Sequence, residues 1–572
     1  MTPTKLTRAD KWIALALAVV AFAITLAASR KQGVHRDEAY YMRAGEQYAV
    51  WMERAITGEL KQPLSKGSID AYWGYNYEHP PLMKVLYGLS WRLLHQCDCA
   101  ADQSLHPPVS RLKQGRHRSL GLTSEITAFR VPTMVCFAIL IALVWLWSVE
   151  ATGSRLGALA AAGFVALQPR MFFHAQTASF DLPAALFWVA TTYAYWRALA
   201  GGWKRAVLVG VLYGLFLATK LQSFFLPLAL GMHWIAVGVL AKRATPRGRW
   251  PSPFPFVAMA VLGPLVVFLL WPLLWHDPMA QLDRYFSFHL KHVHYNFEYL
   301  GTNWNRPPYP WHEPLGMLIF TAPLTLLACA LGGVVVLARD GLARLRGTTA
   351  ADPRATAALW AIAGFVPIAI FFPGTAPIFG ETKHWLATTA FLAMAGGAAI
   401  GRLAPLLVAE LRARGRKADV LAGALVACAL VPAAIEVVRS HPYGLSHYNA
   451  LAGGAPGGAD LGMNRQFWGY APNGLFDTLA AELEPKARLY PHDMNPDTFE
   501  IVLRDGRLRR DIADAGMEDS GIRSSDAALV VHELHFAKYD YMIWQAYGSV
   551  APRHVLTLDG VPLVSLYEKA AK

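Results

Sequence analysis

The chain reads VPTMVCFAILIALVWLWSV over residues 131–149, with no charged side chain in the whole run. A helix that crosses the hydrocarbon core of a bilayer needs about 20 predominantly apolar residues. This stretch therefore predicts a membrane-spanning helix, and ten similar runs bring the candidate spans to eleven. The runs are 12–29, 131–149, 156–169, 182–196, 206–219, 221–241, 250–275, 314–338, 355–380, 385–401 and 420–435.

The composition agrees with a membrane protein. Of the 572 residues, 54% are hydrophobic and only 16% are charged, whereas soluble domains carry about 25% charged residues. This excludes an ordinary cytosolic enzyme and a disordered or fibrous chain. The net charge is +13, but the basic residues flank the apolar runs. A nucleic-acid binder gathers them on one face, so the predicted surroundings are membrane lipids and no nucleic acid.

The distribution of Lys and Arg predicts the orientation. If the N-terminus is cytoplasmic, the connections on that side carry 20 basic residues, among them Arg247, Arg414, Arg416 and Lys417. The short connections on the other side carry only Arg170, Lys220 and Lys383. Because cytoplasmic loops are enriched in basic residues, we expect a cytoplasmic N-terminus and an exported C-terminal tail. The run 12–29 ends in small residues, as a signal peptide does, but ten further spans favour an uncleaved first helix.

Two long segments, 30–125 and 276–313, then face outward together with the tail. The predicted membrane domain covers 1–438. Residues 439–572 carry 13 basic and 17 acidic residues, a composition typical of a soluble domain. A helix is expected near 474–484 and strands at 527–532 and 554–568, the last with an Asp559-Gly560 hairpin turn. The predicted fold is a polytopic α-helical membrane protein with a small extracytoplasmic α/β domain.

The first outward segment opens with VHRDEAYY at residues 34–41. It places two adjacent carboxylates, Asp37 and Glu38, beside the bilayer, where charge is expensive to desolvate and is often functional. A structural alternative is a helix start, with Asp37 as the N-cap and Glu38 in the first turn. The two interpretations are compatible because a cap also fixes a carboxylate in place.

Further along, the same segment reads YNYEHPPLMK at residues 75–84. The paired proline stiffens the backbone and starts the apolar segment 82–94 at a fixed angle. His79 precedes the two prolines. Taken alone, this pattern favours a helix start at the membrane surface with an incidental histidine.

Together the two motifs resemble the lipid-carrier-dependent glycosyltransferases of the GT-C class. The resemblance is closest to the bacterial branch similar to protein O-mannosyltransferases and to the aminoarabinose transferase of lipid A. Aminoarabinose transferases have lysine where this chain has His79, so the resemblance does not carry over the aminoarabinose donor. Further matching stretches are RVP at 130–132, DLP at 181–183, GLFLATK at 214–220, HPY at 441–443, HYN at 447–449, GG at 453–454 and FWG at 467–469.

The resemblance implies a GT-C fold and catalysis outside the membrane, with a polyprenyl-phosphate sugar as donor. Asp37 takes the position of the family's base, and Glu38 would orient it. A base on one side of the sugar and a phosphate leaving on the other implies inversion at the anomeric carbon. Asp181 begins a span and is a candidate cap of that helix, whereas its matching position implies a role in binding the acceptor or the sugar.

The departing phosphate needs cations around it. The predicted topology puts His79, Lys220, Lys383 and His384 at outer membrane ends, with Lys84 and Arg306 as weaker candidates. Lys220 has an alternative role as an interfacial anchor whose amine reaches the headgroups.

The second outward segment offers a separate set of metal ligands in His289, His292 and Glu298. The spacing of these residues does not fix the position of a third ligand. An interfacial amphipathic helix explains the spacing of the histidines better. A monophosphate leaving group makes a metal dispensable. We therefore assign no metal ligand and require no cofactor, although a divalent cation is compatible with the chemistry.

The sequence thus predicts an inverting glycosyltransferase of the bacterial inner membrane. It would move a sugar from a polyprenyl-phosphate carrier to a hydroxyl of a protein, lipid or glycan acceptor. The alternative is a transporter or flippase of a lipid-linked glycan. Transporters usually show internal repeats and charged or broken helices at the midplane, whereas the ionisable residues here fall at the outer ends of the runs.

Overall fold

The computed structural model describes residues 4–96, 119–244, 249–346, 352, 354–378, 380–413 and 418–569. Arg247, Arg414, Arg416 and Lys417, which contribute to the predicted orientation, lie outside these residues. The described chain is mostly helical, with one two-stranded sheet in the second outward segment and one five-stranded sheet near the C-terminus. It is a multi-pass membrane protein with a C-terminal α/β unit, as predicted.

All eleven predicted spans contain a helix. The helices that occupy these runs are α1 (Arg8–Ala28), α5 (Glu125–Thr152), α6 (Arg155–Ala166), α8 (Asp181–Ala198), α9 (Trp203–Leu217), α10 (Leu226–Ala244), α11 (Phe254–Leu270), α13 (Glu313–Thr321), α14 (Leu324–Leu345), α15 (Thr356–Ala369), α16 (Leu386–Ala413) and α17 (Ala418–Ser440). Within the described residues, six helical stretches are long and apolar enough to cross a bilayer, and three shorter helices are also apolar. The count of eleven spans remains a prediction.

One predicted span is interrupted. The run 314–338 forms α13 and α14, which are separated at Ala322 and Pro323. Proline lacks the backbone N–H that would continue the hydrogen-bond ladder and clashes with the preceding turn. Because the run is apolar throughout, its composition did not predict the break between the two helices.

The first outward segment folds into three helices before its undescribed part: α2 (Arg36–Thr57), α3 (Lys66–Trp73) and α4 (Leu82–Leu94). The cap of α2 differs from the alternative considered above. The N-cap is His35, whose Nδ1 accepts the backbone N–H of Glu38 at 3.1 Å. Asp37 lies in the first turn, so its carboxylate is not used as the cap.

Two glycines bring α2 and α4 into close contact. A Cβ atom on Gly88 would lie 1.9 Å from the carbonyl oxygen of Gly45, and one on Gly45 would lie 2.6 Å from that of Lys84. Only glycine allows the two backbones to approach this closely. The helix that carries Asp37 is therefore fixed against the helix that follows His79.

The second outward segment contains α12 (Pro278–Leu290) and an antiparallel pair, β1 (Phe297–Tyr299) and β2 (Thr302–Trp304). The short helix α7 (Pro169–His174) precedes α8. It forms part of the connection that also contains Ala178 and leads to Asp181.

The tail forms a five-stranded mixed sheet with the strand order β4-β3-β5-β7-β6. The predicted hairpin is correct, since Asp559 and Gly560 connect the last two strands with φ values of +48° and +86°. The expected helix near 474–484 is also present, as α19. The elements are α18 (Gly454–Asp460), α19 (Phe476–Glu482), β3 (Arg488–Pro491), α20 (Pro496–Arg504), β4 (Ala513–Asp514), α21 (Asp519–Ser524), β5 (Ala527–Val531), α22 (Ala537–Tyr547), β6 (His554–Leu558) and β7 (Val561–Glu568).

Candidate active site

A cavity of about 770 Å³ lies where the first turn of α2, both outward segments and the tail meet. Six of the seven predicted site residues line it, although they come from distant parts of the sequence. They are Asp37, His79, Asp181, Lys220, Lys383 and His384. Glu38 does not line the cavity.

Asp37 is half-buried at the cavity wall. Among the described residues, no hydrogen bond or ion pair engages its carboxylate. The N-terminus of α2 carries a partial positive charge, which favours an ionised carboxylate in the first turn. Asp37 is therefore an anionic group with its lone pairs available to a molecule in the cavity.

Glu38 is fully buried behind the cavity and forms a two-pronged ion pair with Arg130. The Nε–Oε1 distance is 2.7 Å and the Nη2–Oε2 distance is 2.9 Å. The backbone N–H of Ala178 also donates to Oε1 at 2.7 Å. Burial pushes the pKa of Glu38 upward, but the attraction of Arg130 outweighs it and lowers the pKa. Glu38 is thus a fixed anion that binds behind the first turn of α2 without touching the cavity.

Arg130 also binds the backbone that leads into α2. Its guanidinium donates to the carbonyl oxygens of Gln32 at 2.9 Å and Gly33 at 2.6 Å. Every one of these groups is buried, so the network determines where Asp37 stands. The RVP stretch quoted for the resemblance therefore has a structural role at the site.

Lys220 and Asp181 meet as an ion pair on the cavity wall. Nδ1 of the buried His174 lies 3.7 Å from the other oxygen of Asp181. Asp181 is the first residue of α8, and Lys220 follows the end of α9. The ammonium of Lys220 is consequently held in place rather than left to extend freely to the headgroups.

Lys383 supplies the second ammonium group, from a 3₁₀ turn over Glu381–His384. Its Nζ lies 4.2 Å from the ring centre of Trp468, a cation–π contact. Burial lowers the pKa of Lys383 to about 8, against the opposing attraction of Asp37 and Asp181. At neutral pH the side chain is mostly charged, and it loses that charge at mildly alkaline pH.

Two histidines contribute imidazole rings. Burial lowers the pKa of His79 well below its usual range, and its ring meets that of Tyr41 edge-on at 5.4 Å. His384 lies with Nδ1 3.5 Å from Nε2 of Gln222 and its ring 5.3 Å from that of Phe371. The neutral imidazole of His79 can donate one hydrogen bond to a phosphate oxygen without adding charge, and the ring of His384 can donate another.

The two weaker phosphate candidates do not line the cavity. Lys84 is buried and donates to the carbonyl oxygens of Asn76 at 2.6 Å and His79 at 2.8 Å. It stabilises the loop that carries His79. Arg306 is exposed on the second outward segment.

The candidate metal set in the second outward segment is not brought together. His289 Nε2 lies 2.9 Å from the carbonyl oxygen of Glu78, and His292 Nδ1 lies 2.7 Å from that of Val293. Glu298 instead contacts His535 of the tail. The three residues therefore have separate partners.

Trp468 is a site residue to which sequence reasoning gave no role. It has a positive φ of +77°, which is rare for an aromatic residue. Its ring stacks on His35 at 4.1 Å, and its carbonyl oxygen accepts the backbone N–H of Arg36 at 3.1 Å. Trp468 thus joins the tail, the N-cap of α2 and Lys383. The FWG stretch was the only available signal, and it carried no indication of these partners.

Residues 106–271 match the family model described as Dolichyl-phosphate-mannose-protein mannosyltransferase. The family match confirms the resemblance. The matched part includes Arg130, Asp181 and Lys220, but not Asp37, His79 or Lys383. Over this part, the chain is thus similar to mannosyltransferase-like glycosyltransferases of the GT-C class.

Two solved structures align along most of the chain at low identity. The first is ArnT from Cupriavidus metallidurans bound to undecaprenyl phosphate, with 13% identity, 97% coverage of both chains and a TM-score of 0.47. The second is the oligosaccharyltransferase AglB from Archaeoglobus fulgidus with an inhibitory peptide and a dolichol-phosphate. It shows 14% identity, 95% coverage of this chain, 72% of the other and a TM-score of 0.46. No curated protein sequence gives a significant match.

Proposed function

We propose that this protein is an inverting glycosyltransferase that moves a sugar from a polyprenyl-phosphate carrier to an acceptor hydroxyl. The observation that carries the proposal is the joint lining of one cavity by the carboxylate of Asp37 and the ammonium groups of Lys220 and Lys383. A base for the acceptor and cations for the leaving phosphate are the two kinds of group that this reaction needs.

The proposed step forms one bond and breaks one. The acceptor oxygen attacks the anomeric carbon while its proton passes to the carboxylate of Asp37. The bond between that carbon and the phosphate oxygen breaks, and its electron pair stays on the phosphate. Lys220 and Lys383 stabilise the charge that develops there, and the rings of His79 and His384 donate hydrogen bonds.

Asp181 has a supporting role in this proposal. Its carboxylate orients the ammonium of Lys220 and lines the same cavity, where it would accept a hydrogen bond from a hydroxyl of the sugar or the acceptor. Repulsion between Asp181 and an incoming phosphate is reduced because Lys220 lies against Asp181. A cation held before the substrate arrives needs less reorganisation during the reaction.

We further propose that the reaction takes place at the outer face of a bacterial inner membrane. The charge asymmetry of the connections supports this orientation. The proposed domains are 1–438 for the catalytic membrane part and 439–572 for an extracytoplasmic part that closes the cavity through Phe467 and Trp468. The acceptor is a protein, a lipid or an envelope glycan.

Mass analysis of envelope lipids and glycoproteins from a deletion strain would identify the missing sugar and its acceptor. The purified full chain should then consume the corresponding polyprenyl-phosphate sugar and release free polyprenyl phosphate. Asp37→Asn keeps the shape of the side chain but removes the basic lone pair, so turnover should fall by about 10²–10⁴-fold.

Asp70→Asn is the matched control, because Asp70 is exposed on α3 in the same outward segment and, within the described part of the chain, its ion pair is with Lys66. It should transfer sugar like the parent. Near-parental turnover by Asp37→Asn would contradict the assignment of the base. A flippase would move the intact lipid-linked sugar and would release no free polyprenyl phosphate.

A further inference from the structure

A cluster of two carboxylates and an imidazole joins the second outward segment to the tail. Glu298 lies on β1, and Glu533 and His535 lie in the loop between β5 and α22. One ligand atom from each of the three residues lies within 4.8 Å of the other two. The proposed reaction uses none of them.

The contacts within the cluster are specific. Oε1 of Glu298 accepts both the backbone N–H and the ring Nδ1 of His535, each at 3.0 Å. Nε2 of the same ring lies 3.5 Å from Oε2 of Glu533. The imidazole thus contacts two carboxylates that belong to different parts of the chain.

The cluster is short of positive charge. The side chain of Glu298 has 0% exposure, and its Oε2 has no hydrogen-bond partner among the described residues. Glu533 is also largely buried, with 7% of its side chain exposed. The nearby guanidinium of Arg36 forms an ion pair with Asp493. Two carboxylates this close and this buried need a cation or protons to compensate them.

We propose that Glu298, Glu533 and His535 form a binding site for one divalent transition-metal ion of the Zn²⁺ or Mn²⁺ type. Two ionised carboxylates carry a charge of −2, which a divalent ion neutralises. Carboxylate and imidazole groups are ordinary ligands of these metals. The unpartnered Oε2 of Glu298 supplies a buried lone pair that no described residue uses.

The location defines what the ion would do. It would crosslink β1 of the second outward segment to the tail, next to the pairing of β1 with β2. Glu533 and His535 line the cavity, so the ion has an entry path. Its remaining coordination position would face water or a substrate oxygen. The site is separate from the ammonium groups proposed to hold the phosphate.

The test uses the purified full chain with a tag that contains no histidine. The protein is stripped with a chelator, equilibrated with Zn²⁺ or Mn²⁺, freed of excess ion and analysed for bound metal. We expect about one retained equivalent per chain and a higher unfolding temperature with metal than without, because a ligand that binds only the folded state stabilises it. His535→Ala and Glu298→Gln should each weaken binding at least 100-fold, since even outer-shell partners of a metal contribute 10–100-fold.

Glu533→Gln provides a variant that keeps its size and hydrogen-bonding capacity if the other two fold poorly, and it should show the same loss of metal. The control is His554→Ala, which breaks an exposed His–Glu contact with Glu482 on the same domain and should retain the metal. Failure of the parent to retain either ion overturns the proposal, as does equal retention by the cluster variants. Stability that depends on pH but not on metal would identify protons as the compensating charge and would also overturn it. Metal content is measured without the transfer assay, so its outcome is independent of the proposed function.

Discussion

The carboxylate of Glu38 is held by the guanidinium of Arg130 at 2.7 and 2.9 Å, and neither side chain is exposed. Arg130 lies in α5, 92 residues further along the chain, and also binds the carbonyl oxygens of Gln32 and Gly33. This pair therefore connects a membrane helix to the turn from which Asp37 projects. Of the two neighbouring carboxylates, Asp37, which we propose as the base, is less buried than Glu38.

Glu38→Gln should destabilise the protein by about 3–5 kcal/mol, because it leaves the buried charge of Arg130 without a partner. Unfolding in detergent measures the loss. The control is Asp70→Asn, which removes an exposed pair with Lys66 and should cost less than about 1 kcal/mol. Equal stability of the two variants would mean that the Arg130 network does not stabilise the fold.

Lys220→Gln should weaken binding of polyprenyl phosphate by about 10–150-fold. A hydrogen bond to a charged group contributes roughly 1.5–3 kcal/mol, and each 1.4 kcal/mol is a factor of ten. Binding of the sugar-free carrier to the purified protein is the measurement. Asp37→Asn should leave this affinity nearly unchanged, because in the proposed reaction Asp37 acts on the acceptor and not on the phosphate.

The same variant leaves the Asp181 carboxylate without its cation, which adds repulsion toward a phosphate. The double variant Lys220→Gln, Asp181→Asn removes that repulsion and should recover part of the affinity. If Lys220→Gln binds the carrier as tightly as the parent, then Lys220 is only an interfacial anchor.

Carrier affinity should fall as the pH rises through about 8. The pKa of Lys383 is lowered to about 8 by burial, so its ammonium is largely protonated at pH 7 and largely neutral at pH 9. The anionic phosphate binds the protonated form, hence binding weakens with increasing pH. Lys383→Arg keeps its charge across this range and should flatten the profile. An unchanged profile in Lys383→Arg would assign the pH dependence to another group.

Gly88→Ala should destabilise the packing of α2 against α4, since its Cβ would lie 1.9 Å from the carbonyl oxygen of Gly45. Overpacking of this kind typically costs about 1–3 kcal/mol. The unfolding temperature should fall, and transfer with it, because α2 carries Asp37. Gly67→Ala on α3 meets no atom within 4 Å and should be neutral. Equal effects of the two changes would contradict the close approach.

The predicted orientation is tested by fusions. A reporter that is active only after export should be active when fused after Lys572, and inactive when inserted between α10 and α11. The physical basis is the excess of Lys and Arg in the connections assigned to the cytoplasm. A cytoplasm-specific reporter that is active after Lys572 would reverse the assignment.

Much of the fold could be predicted because its determinants are local. Apolar runs of sufficient length located all eleven helical regions, and the Asp559-Gly560 pair located the hairpin of β6 and β7. Local signals did not predict the N-cap of α2 or the break between α13 and α14. Asp37 is a good N-cap by residue type, yet His35 takes that position, and Pro323 divides a run whose composition is uniformly apolar.

The sequence by itself determined the membrane class, the helices and most of the residues at the candidate site, because hydrophobic length, charge asymmetry and short motifs can be detected along one dimension. Only the tertiary structure decided what those residues contact. In the structure, Arg130 pairs with Glu38, Asp181 pairs with Lys220, and Trp468 contacts Lys383. Glu298 contacts His535 instead of His289 and His292. Ion pairs and ring contacts depend on distances of a few ångströms between side chains that lie tens to hundreds of residues apart. Such distances are determined by the packing of helices and by the docking of the tail, which no local pattern encodes.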